Sequence, residues 1–483
     1  MIFNSIPFFF FFTVFFFLYW LVFKNSVQLQ NLLILTGSYV FYAFWDWRFL
    51  FLMAGSSLLN YYLGIYIAKS KNEKRRQLLL YIGLLQGIGG LIFFKYYNFF
   101  VTSFVEAFSF FNISLQAHTL QLILPLGISF YTFRAMSYLL DIYNEETEAT
   151  SNWVVFFSYI SFFPSLVSGP IDRANLLIPQ LAKKRLFTYD NAANGMRQIL
   201  WGLFKKVVVA DNCALITNQV FDNYTSMPAS SLVLGACIYS IQLYADFSGY
   251  SDMAIGFARL LGFNITKNFN FPFFAQNIAS FWRRWHMSLT SWMTEYVYTP
   301  LSFIFRRRGK AGMIAAILLN FFIIGLWHGA NWTFVVFGLL HGCFFIPMIL
   351  RGTINKQEKL LPEKLLPSFS TFKNMVLTFL LVAITNVIFR ADNMTHAVNY
   401  YRRIFSSSIF SFPVFKTNMS TLAGLAFACI ALLIEWLGRN QEYALEGLFS
   451  RFPKPLRWTF YYTLALIIFL FAGKEQQFIY IQF

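Results

Sequence analysis

Long apolar segments recur along the whole chain, and short clusters of polar and charged residues separate them. A membrane-spanning helix takes about 20 mostly apolar residues, and many of these segments approach that length. We therefore expect an all-α, polytopic transmembrane bundle of about 10 to 13 membrane-embedded helices, some of them short or re-entrant. The predicted helices lie near residues 6–23, 31–45, 49–68, 77–94, 119–143, 153–170, 192–210, 229–245, 249–263, 312–327, 332–350, 372–390, 419–437 and 457–473.

Two stretches interrupt this pattern. Residues 173–189 mix Lys183, Lys184 and Arg185 with leucines and isoleucines, which favours a helix or loop lying along the lipid headgroups. Residues 262–310 place arginines and a histidine among tryptophans, tyrosines and phenylalanines. Such a mixture is too polar to cross the hydrocarbon core as a single helix. We therefore expect short helices here, which fold against the bundle or line a water-filled cavity.

Composition supports lipid as the solvent of this protein. Of its 483 residues 57% are hydrophobic and 12% are charged, and 63 are phenylalanine. The net charge of +17 comes from short basic clusters between apolar segments, a pattern typical of contact with anionic lipids and not of nucleic-acid binding. The positive-inside rule assigns the clusters at 69–76 and 306–310 to the cytoplasm. We predict one integral membrane domain over 1–483, with N-terminal helices at 1–118, a core at 119–350 and C-terminal helices at 372–483.

Histidines are scarce, and His328 has the least ordinary position among the five. It follows an apolar run that starts at the basic cluster, about 20 residues and about 30 Å away if the run is helical. An ionisable group at that depth is costly and usually faces the interior of the bundle, where a neutral imidazole can accept a proton from a hydroxyl. Its surroundings in sequence include Trp327, Asn331 and Trp332, which we predict to contact substrate. The alternative is a histidine that is hydrogen-bonded to a neighbouring helix or that serves as an interfacial anchor beside the two tryptophans.

Further polar groups surround this region in the sequence. His286 follows Arg283 and Arg284; the arginines are candidates to bind an anionic acyl donor, and an amphipathic helix on lipid phosphates is the alternative. His341, Asp246 and Asp252 complete the candidate substrate-binding set, although hydrogen bonds between helices would also account for them. We expect no metal site, because no metal-ligand spacing occurs.

Several motifs together resemble the membrane-bound O-acyltransferase family, specifically its alginate O-acetyltransferase branch. The resemblance covers nearly the whole chain and rests on the order and spacing of these pieces: Pro125 to Phe133, Phe163-Pro164, Ser168 to Pro170, Tyr244 to Gly256, Asn268 to Asn270, Pro272, Phe281 to Leu289, Trp327 to Trp332 and Phe478 to Phe483. Arg134 and the basic stretch Phe305 to Lys310 depart from the pattern of such proteins.

The resemblance implies catalysis at His328, assisted by His286, in a tunnel or funnel through the helices. It also implies acetyl-CoA as the acyl-donor substrate, no bound cofactor, and a bacterial cytoplasmic (inner) membrane location. The final acceptor would be an extracytoplasmic polysaccharide, reached directly or through an extracytoplasmic acetyltransferase or esterase-like partner protein. Two alternatives stay open: D-alanyl or other acyl transfer from a carrier protein to a cell-wall polymer, and a polysaccharide or lipid transporter without chemistry.

Overall fold

A computed structural model describes every residue except 110, 114, 117, 355–364, 417, 449–451, 474–475 and 480–483. The described part of the chain is helical and contains no β-strand, which confirms the all-α class. Within it, five helical stretches are long and apolar enough to cross a membrane, and Ile6–Val22 and Thr421–Leu437 are shorter apolar helices. The five stretches are Arg48–Lys69, Glu73–Ser109, Met287–His328, Trp332–Leu350 and Phe369–Arg390. The count of 10 to 13 embedded helices stays a prediction.

The chain divides into two compact units, and the first combines Met1–Gly195 with Ala254–Thr266. Its helices are α1 (Ile6–Phe17), α2 (Val27–Asp46), α3 (Arg48–Lys69), α4 (Glu73–Leu91), α5 (Tyr97–Ser109), α6 (Ile128–Tyr143), α7 (Trp153–Ser161), α8 (Phe163–Leu166) and α9 (Ala174–Ala182). A π-helical turn, Ile92–Tyr96, joins α4 to α5. Hence the predicted helix at 77–94 continues through α5, since α4, the turn and α5 form one helical run, Glu73–Ser109.

Arg134 is a buried cation in the first unit that binds several carbonyl oxygens. Its guanidinium is fully buried and donates to the carbonyl oxygens of Ser165 (3.0 Å) and Pro170 (3.1 Å). Asp172 lies 3.7 Å away and supplies the opposite charge. A buried cation needs such a set of partners. The residue that departs from the family pattern thus holds the irregular segment that follows α8.

The second unit combines Met196–Met253 with Lys267–Phe483. Two helices run from one unit into the other, α10 (Tyr189–Leu203) and α12 (Ala229–Leu260). The remaining helices are α11 (Asp211–Asp222), α13 (Ile278–Trp282), α14 (Met287–Met293), α15 (Thr299–Phe305), α16 (Gly309–His328), α17 (Trp332–Leu350), α18 (Phe369–Arg390), α19 (Met394–Ile404), α20 (Met419–Leu437) and α21 (Lys454–Leu470). π-helical turns occupy Phe204–Ala210 and Thr294–Tyr298. The division of 1–483 into three regions of one domain stays a prediction.

α12 is one helix of 32 residues where the sequence predicts two, at 229–245 and 249–263. The predicted break falls at Gly249, a residue that usually weakens a helix. Here Gly249 lies against the backbone of Gly202 in α10, so close that a Cβ on either residue would clash with the other's carbonyl oxygen. The glycine therefore serves helix contact and does not end the helix.

Short helices form between residues 272 and 305, as the mixed sequence predicts: a 3-10 turn at Pro272–Phe274, then α13, α14 and α15. A further 3-10 turn, Arg306–Arg308, ends this series, and Gly309 adopts the left-handed region with φ of 55°. α16 then packs back on α15 and on Thr294–Tyr298. The basic cluster at 306–310 is therefore the exposed tip of a helical turn.

Candidate active site

α16 and α17 form a closely packed antiparallel pair that carries His328. Two glycines allow this contact. A Cβ at Gly338 would overlap the carbonyl oxygen of Phe321, and a Cβ at Gly325 would overlap the carbonyl oxygen of Phe334. At the other end, Lys310 Nζ donates to Leu350 O at 2.7 Å. His328 therefore lies a full 20-residue helix, about 30 Å, away from the basic cluster.

The imidazole of His328 is 3% exposed and lies among aromatic rings. Its ring centroid is 5.0 Å from that of Trp327, 5.2 Å from Phe389 and 6.1 Å from Phe337. As the last residue of α16, His328 also lies at the negative end of the helix dipole, where a positive charge is favoured by about 0.3–1 kcal/mol. The helix end would therefore stabilise an imidazolium formed by proton uptake.

His286 is fully buried and has an unusual backbone conformation, with φ of 45°. A non-glycine residue in the left-handed region costs roughly 1–3 kcal/mol, so its neighbours must hold it there. Asn268 does so, since its carbonyl oxygen accepts from Met287 N at 2.8 Å and its Oδ1 accepts from Ser288 Oγ at 2.8 Å. The His286 ring contacts Trp327, with centroids 5.4 Å apart. Trp327 therefore touches both predicted catalytic histidines.

His341 is fully buried and hydrogen-bonded through both ring nitrogens. Trp282 Nε1 donates to its Nδ1 at 3.2 Å, so Nδ1 is the acceptor and the ring proton of the neutral tautomer is on Nε2. That Nε2 lies 3.1 Å from Thr385 Oγ1. The Thr385 hydroxyl in turn donates to the carbonyl oxygen of Val382, with an Oγ1 to O distance of 2.9 Å. The hydrogen bonds fix the orientation of the ring and link α13, α17 and α18.

The predicted donor-binding arginines differ in exposure: Arg283 is exposed and Arg284 is half-buried. Arg284 Nη1 donates to Asn270 O at 3.4 Å, and Lys267 Nζ donates to the Oδ1 of the same asparagine at 3.0 Å. Asn270 thus links Arg284 and Lys267 through hydrogen bonds. Lys267 was not predicted from the sequence, where its signal is its place one residue before the Asn268 to Asn270 motif.

Asp246 is buried beside a lysine that the sequence analysis also missed. Lys206 Nζ lies 2.7 Å from Asp246 Oδ1 and 2.8 Å from Asp211 Oδ1, and donates to the carbonyl oxygen of Gln476 at 3.1 Å. The second oxygen of Asp246 accepts from Ile479 N at 2.9 Å. We call this set the Lys206 cluster. It fastens the segment Gln476–Ile479 to α12; the rest of that motif, Tyr480 to Phe483, lies outside the described residues.

Asp252 has the preceding lysine as its partner. Lys205 Nζ lies 2.7 Å from Asp252 Oδ2 and 3.6 Å from Glu435 Oε1, and Tyr244 OH donates to Glu435 at 2.9 Å. Lys205 and Lys206 both belong to the π-helical turn Phe204–Ala210, a local geometry often found at functional sites. The signal in the sequence was the presence of charged residues inside the apolar runs 192–210 and 419–437.

Two cavities adjoin Phe389. A narrow one with a volume of about 10 Å³, enough for about one water molecule, lies between His328 and His341 and is lined also by Trp282 and Asn386. A larger cavity of about 490 Å³ is lined mainly by polar residues, and we call it the polar cavity. Its lining consists of Asn218, Asp222, Tyr239, Gln242, Asn331, Phe334, Phe389, Arg390, Ala391, Asp392, Gln476, Gln477 and Ile479.

Among the predicted contacts around His328, Asn331 lines the polar cavity and caps α17, accepting from Thr333 N at 3.1 Å and donating to Asp392 O at 2.8 Å. Trp327 is buried and Trp332 is half exposed. The structure thus groups His328, His286, His341, Trp327 and Asn331 in the second unit, and it pairs Asp246 and Asp252 with lysines. The roles assigned to these residues stay predictions.

Comparison with known proteins gives a consistent set of relatives. The model of the MBOAT, membrane-bound O-acyltransferase family matches residues 144–357. A Pseudomonas aeruginosa protein named "Probable alginate O-acetylase AlgI" is 37% identical over 465 residues, covering 94% of this chain and 84% of the relative. Its namesake in Pseudomonas putida is 35% identical over all of both chains, and a Helicobacter pylori peptidoglycan O-acetyltransferase is 34% identical over 78% of this chain and 73% of its own. The chain belongs to the membrane-bound O-acyltransferase family and is a multi-pass membrane O-acyltransferase.

Proposed function

We propose that the protein moves an acetyl group from cytoplasmic acetyl-CoA to a hydroxyl group on the extracytoplasmic side, for O-acetylation of a polysaccharide. The observation that carries the proposal is the position of His328: it is buried a full helix length from the basic cluster, and its ring packs against Phe389, which also lines the polar cavity. The names of the relatives support a polymer acceptor. Their bacterial sources support the inner membrane as its location.

In this proposal His328 acts as the general base. It takes the proton of the acceptor hydroxyl while the hydroxyl oxygen attacks the thioester carbonyl of acetyl-CoA, and the carbon–sulfur bond then breaks. The proton passes from the imidazolium to the departing thiolate, which leaves as CoA. The end of α16 stabilises the imidazolium between these steps. His286 shares the Trp327 ring with His328 and would set the position of that ring.

The donor would be held at its phosphates by the cationic group around Asn270. Arg283 is exposed, and Arg284 and Lys267 are joined through Asn270, so three positive charges lie within a short stretch of irregular backbone. Arginine binds phosphate through paired N–H groups, and lysine adds a point charge. This group supports an anionic donor such as CoA and favours it over an uncharged acyl ester.

The test is substitution of His328 by alanine in protein purified into lipid nanodiscs. We expect the His328→Ala protein to lose at least 100-fold in the rate of acetyl transfer from acetyl-CoA, as removal of a general base does. His118→Ala is the matched control, because His118 is exposed and lies in the first unit. A folded His328→Ala protein that transfers acetyl at the parental rate contradicts the proposal.

The alternative donor is an acylated carrier protein, as in D-alanyl transfer. Titration of the nanodiscs with acetyl-CoA and with a purified acyl carrier protein separates the two, since binding of the carrier alone would favour the alternative. The enzyme family disfavours the other alternative, a transporter without chemistry. An extracytoplasmic partner protein that relays the acetyl group is compatible with the proposal.

A further inference from the structure

The polar cavity has the properties of a ligand site. It has a volume of about 490 Å³, within the usual range for small-molecule sites, and its wall includes the Phe389 ring against which His328 packs. We propose that this cavity binds an uncharged, hydroxyl-rich saccharide unit as the acceptor, and that it disfavours a uronate. This inference rests on the proposed function and narrows its acceptor.

A buried hydroxyl in the wall supports a ligand with hydrogen-bonding groups. Tyr239 is 1% exposed, and its OH has no hydrogen-bond partner among the residues that the structure describes. A buried hydroxyl without a partner costs roughly 1–3 kcal/mol, so native proteins seldom keep one without a reason. A saccharide hydroxyl in the cavity can both donate to and accept from it.

The other polar groups of the wall are mainly carboxamides. Gln242 is 8% exposed, and its Oε1 is bonded to Thr217 Oγ1, so its NH2 group is the part left for a ligand. Gln477 adds a second amide, and the Lys206 cluster fixes the segment that carries it. Amides recognise neutral hydroxyl groups, and the aromatic face of Phe334 provides apolar surface for a sugar ring.

The charges of the wall disfavour an anionic acceptor. Arg390 is the one cation among the described lining residues, and Asp222 and Asp392 each lie 3.9 Å from its guanidinium. One positive and two negative charges leave an excess of one negative charge. A carboxylate on the ligand would compete with two carboxylates for the same arginine and would be repelled by them. An uncharged unit meets no such penalty.

The experiment measures equilibrium binding of two oligosaccharides of equal length, one of mannose and one of mannuronate, to the protein in nanodiscs. We expect the neutral ligand to bind at least tenfold more tightly. The double substitution Asp222→Asn with Asp392→Asn should reduce this difference to about threefold or less, because these two carboxylates then no longer offset the charge of Arg390 or repel the uronate.

A second variant tests the hydroxyl. Tyr239→Phe should weaken binding of the neutral ligand about fivefold to twentyfold and leave the KM for acetyl-CoA unchanged. Tyr400→Phe is the control: Tyr400 is also fully buried, but its OH donates to Leu232 O at 2.9 Å and it is not among the lining residues. Three results would each overturn the inference. The uronate could bind as tightly as the neutral ligand or more tightly, the protein could acetylate a protein hydroxyl and bind no saccharide, or the two tyrosine variants could have equal effects. If the unsubstituted protein does not turn over acetyl-CoA, the proposed function is overturned instead.

Discussion

The indole nitrogen of Trp282 donates a hydrogen bond to Nδ1 of His341 at 3.2 Å, although 59 residues separate the two in the chain. The bond decides which nitrogen of His341 carries the proton, and Thr385 accepts from the other. We therefore expect His341 to position the helices and not to contact substrate, since its two nitrogens are already bonded within the protein. It holds α13, which precedes Arg283 and His286, against α17, which follows His328.

Thr385→Val should lower stability without abolishing chemistry. The substitution leaves His341 Nε2 without its acceptor in a buried site, which costs about 1–3 kcal/mol. We expect a lower Tm in detergent and an acetyl-transfer rate per folded molecule within about threefold of the parent. Thr378→Val on the same helix is the control, because Thr378 donates to the carbonyl of Asn374 within its own helix. A Tm equal to that of the control would contradict the assignment.

Lys206→Met should be among the most destabilising single substitutions in the second unit. It leaves Asp246 and Asp211 buried without their cation, and removal of one partner of a buried pair typically costs about 3–5 kcal/mol. Unfolding by denaturant measures the loss, and Lys206→Arg should recover part of it. A second substitution, Asp246→Asn in the Lys206→Met background, should cost less than the same change in the parent, because the two residues interact. Additive effects would contradict the pairing.

Gly338→Ala should destabilise the α16 and α17 pair. The added Cβ would overlap the carbonyl oxygen of Phe321, and overpacking of this kind costs about 1–3 kcal/mol. Gly55→Ala in α3 is the control, because a Cβ there meets nothing within 4 Å, and alanine in a helix should be neutral or stabilising. Thermal unfolding of the two variants gives the comparison. A loss in Gly55→Ala as large as that in Gly338→Ala would show that the helix contact is not the cause.

Phe389→Ala should uncouple donor consumption from transfer. The Phe389 ring packs against His328 and lines the polar cavity, so its removal would open a path for water from the cavity to His328. We expect hydrolysis of acetyl-CoA to rise severalfold relative to acetyl transfer, measured by release of free acetate and free CoA. Phe379→Ala, on the same helix but in contact with Phe273, should leave the ratio unchanged. An unchanged ratio in both would argue against a separating role for Phe389.

The sequence was sufficient for the fold class and for the family. His328 was identifiable because an ionisable residue after a long apolar run is rare, and the run does form one helix, α16. The length of α12 was not predictable, because Gly249 reads as a helix breaker until its contact with Gly202 is seen. Contacts across the bundle decide such cases, and local patterns do not contain them.

The ion pairs were the larger omission. Asp246 and Asp252 were recognisable as charged residues in apolar context. Their partners Lys205 and Lys206 lie inside the apolar run 192–210 and were not predicted as site residues. A π-helical turn places Lys205 and Lys206 on their partners, and one extra residue in a helical turn leaves no periodic signal in a sequence. Partners 40 residues away, and a backbone carbonyl 270 residues away, could not be assigned without coordinates.

Membrane insertion of this chain must accommodate the same lysines. Asp211 follows directly and pairs with Lys206, but Asp246, Asp252 and Glu435 are synthesised only later, so the early helix carries more positive than negative charge in hydrocarbon. The early helix would have to wait at the translocon or at the interface until α12 supplies its counter-charges. Integration of α10 and α12 is therefore a coupled event, and loss of either lysine's acidic partner should appear as an insertion defect, before any effect on the finished enzyme.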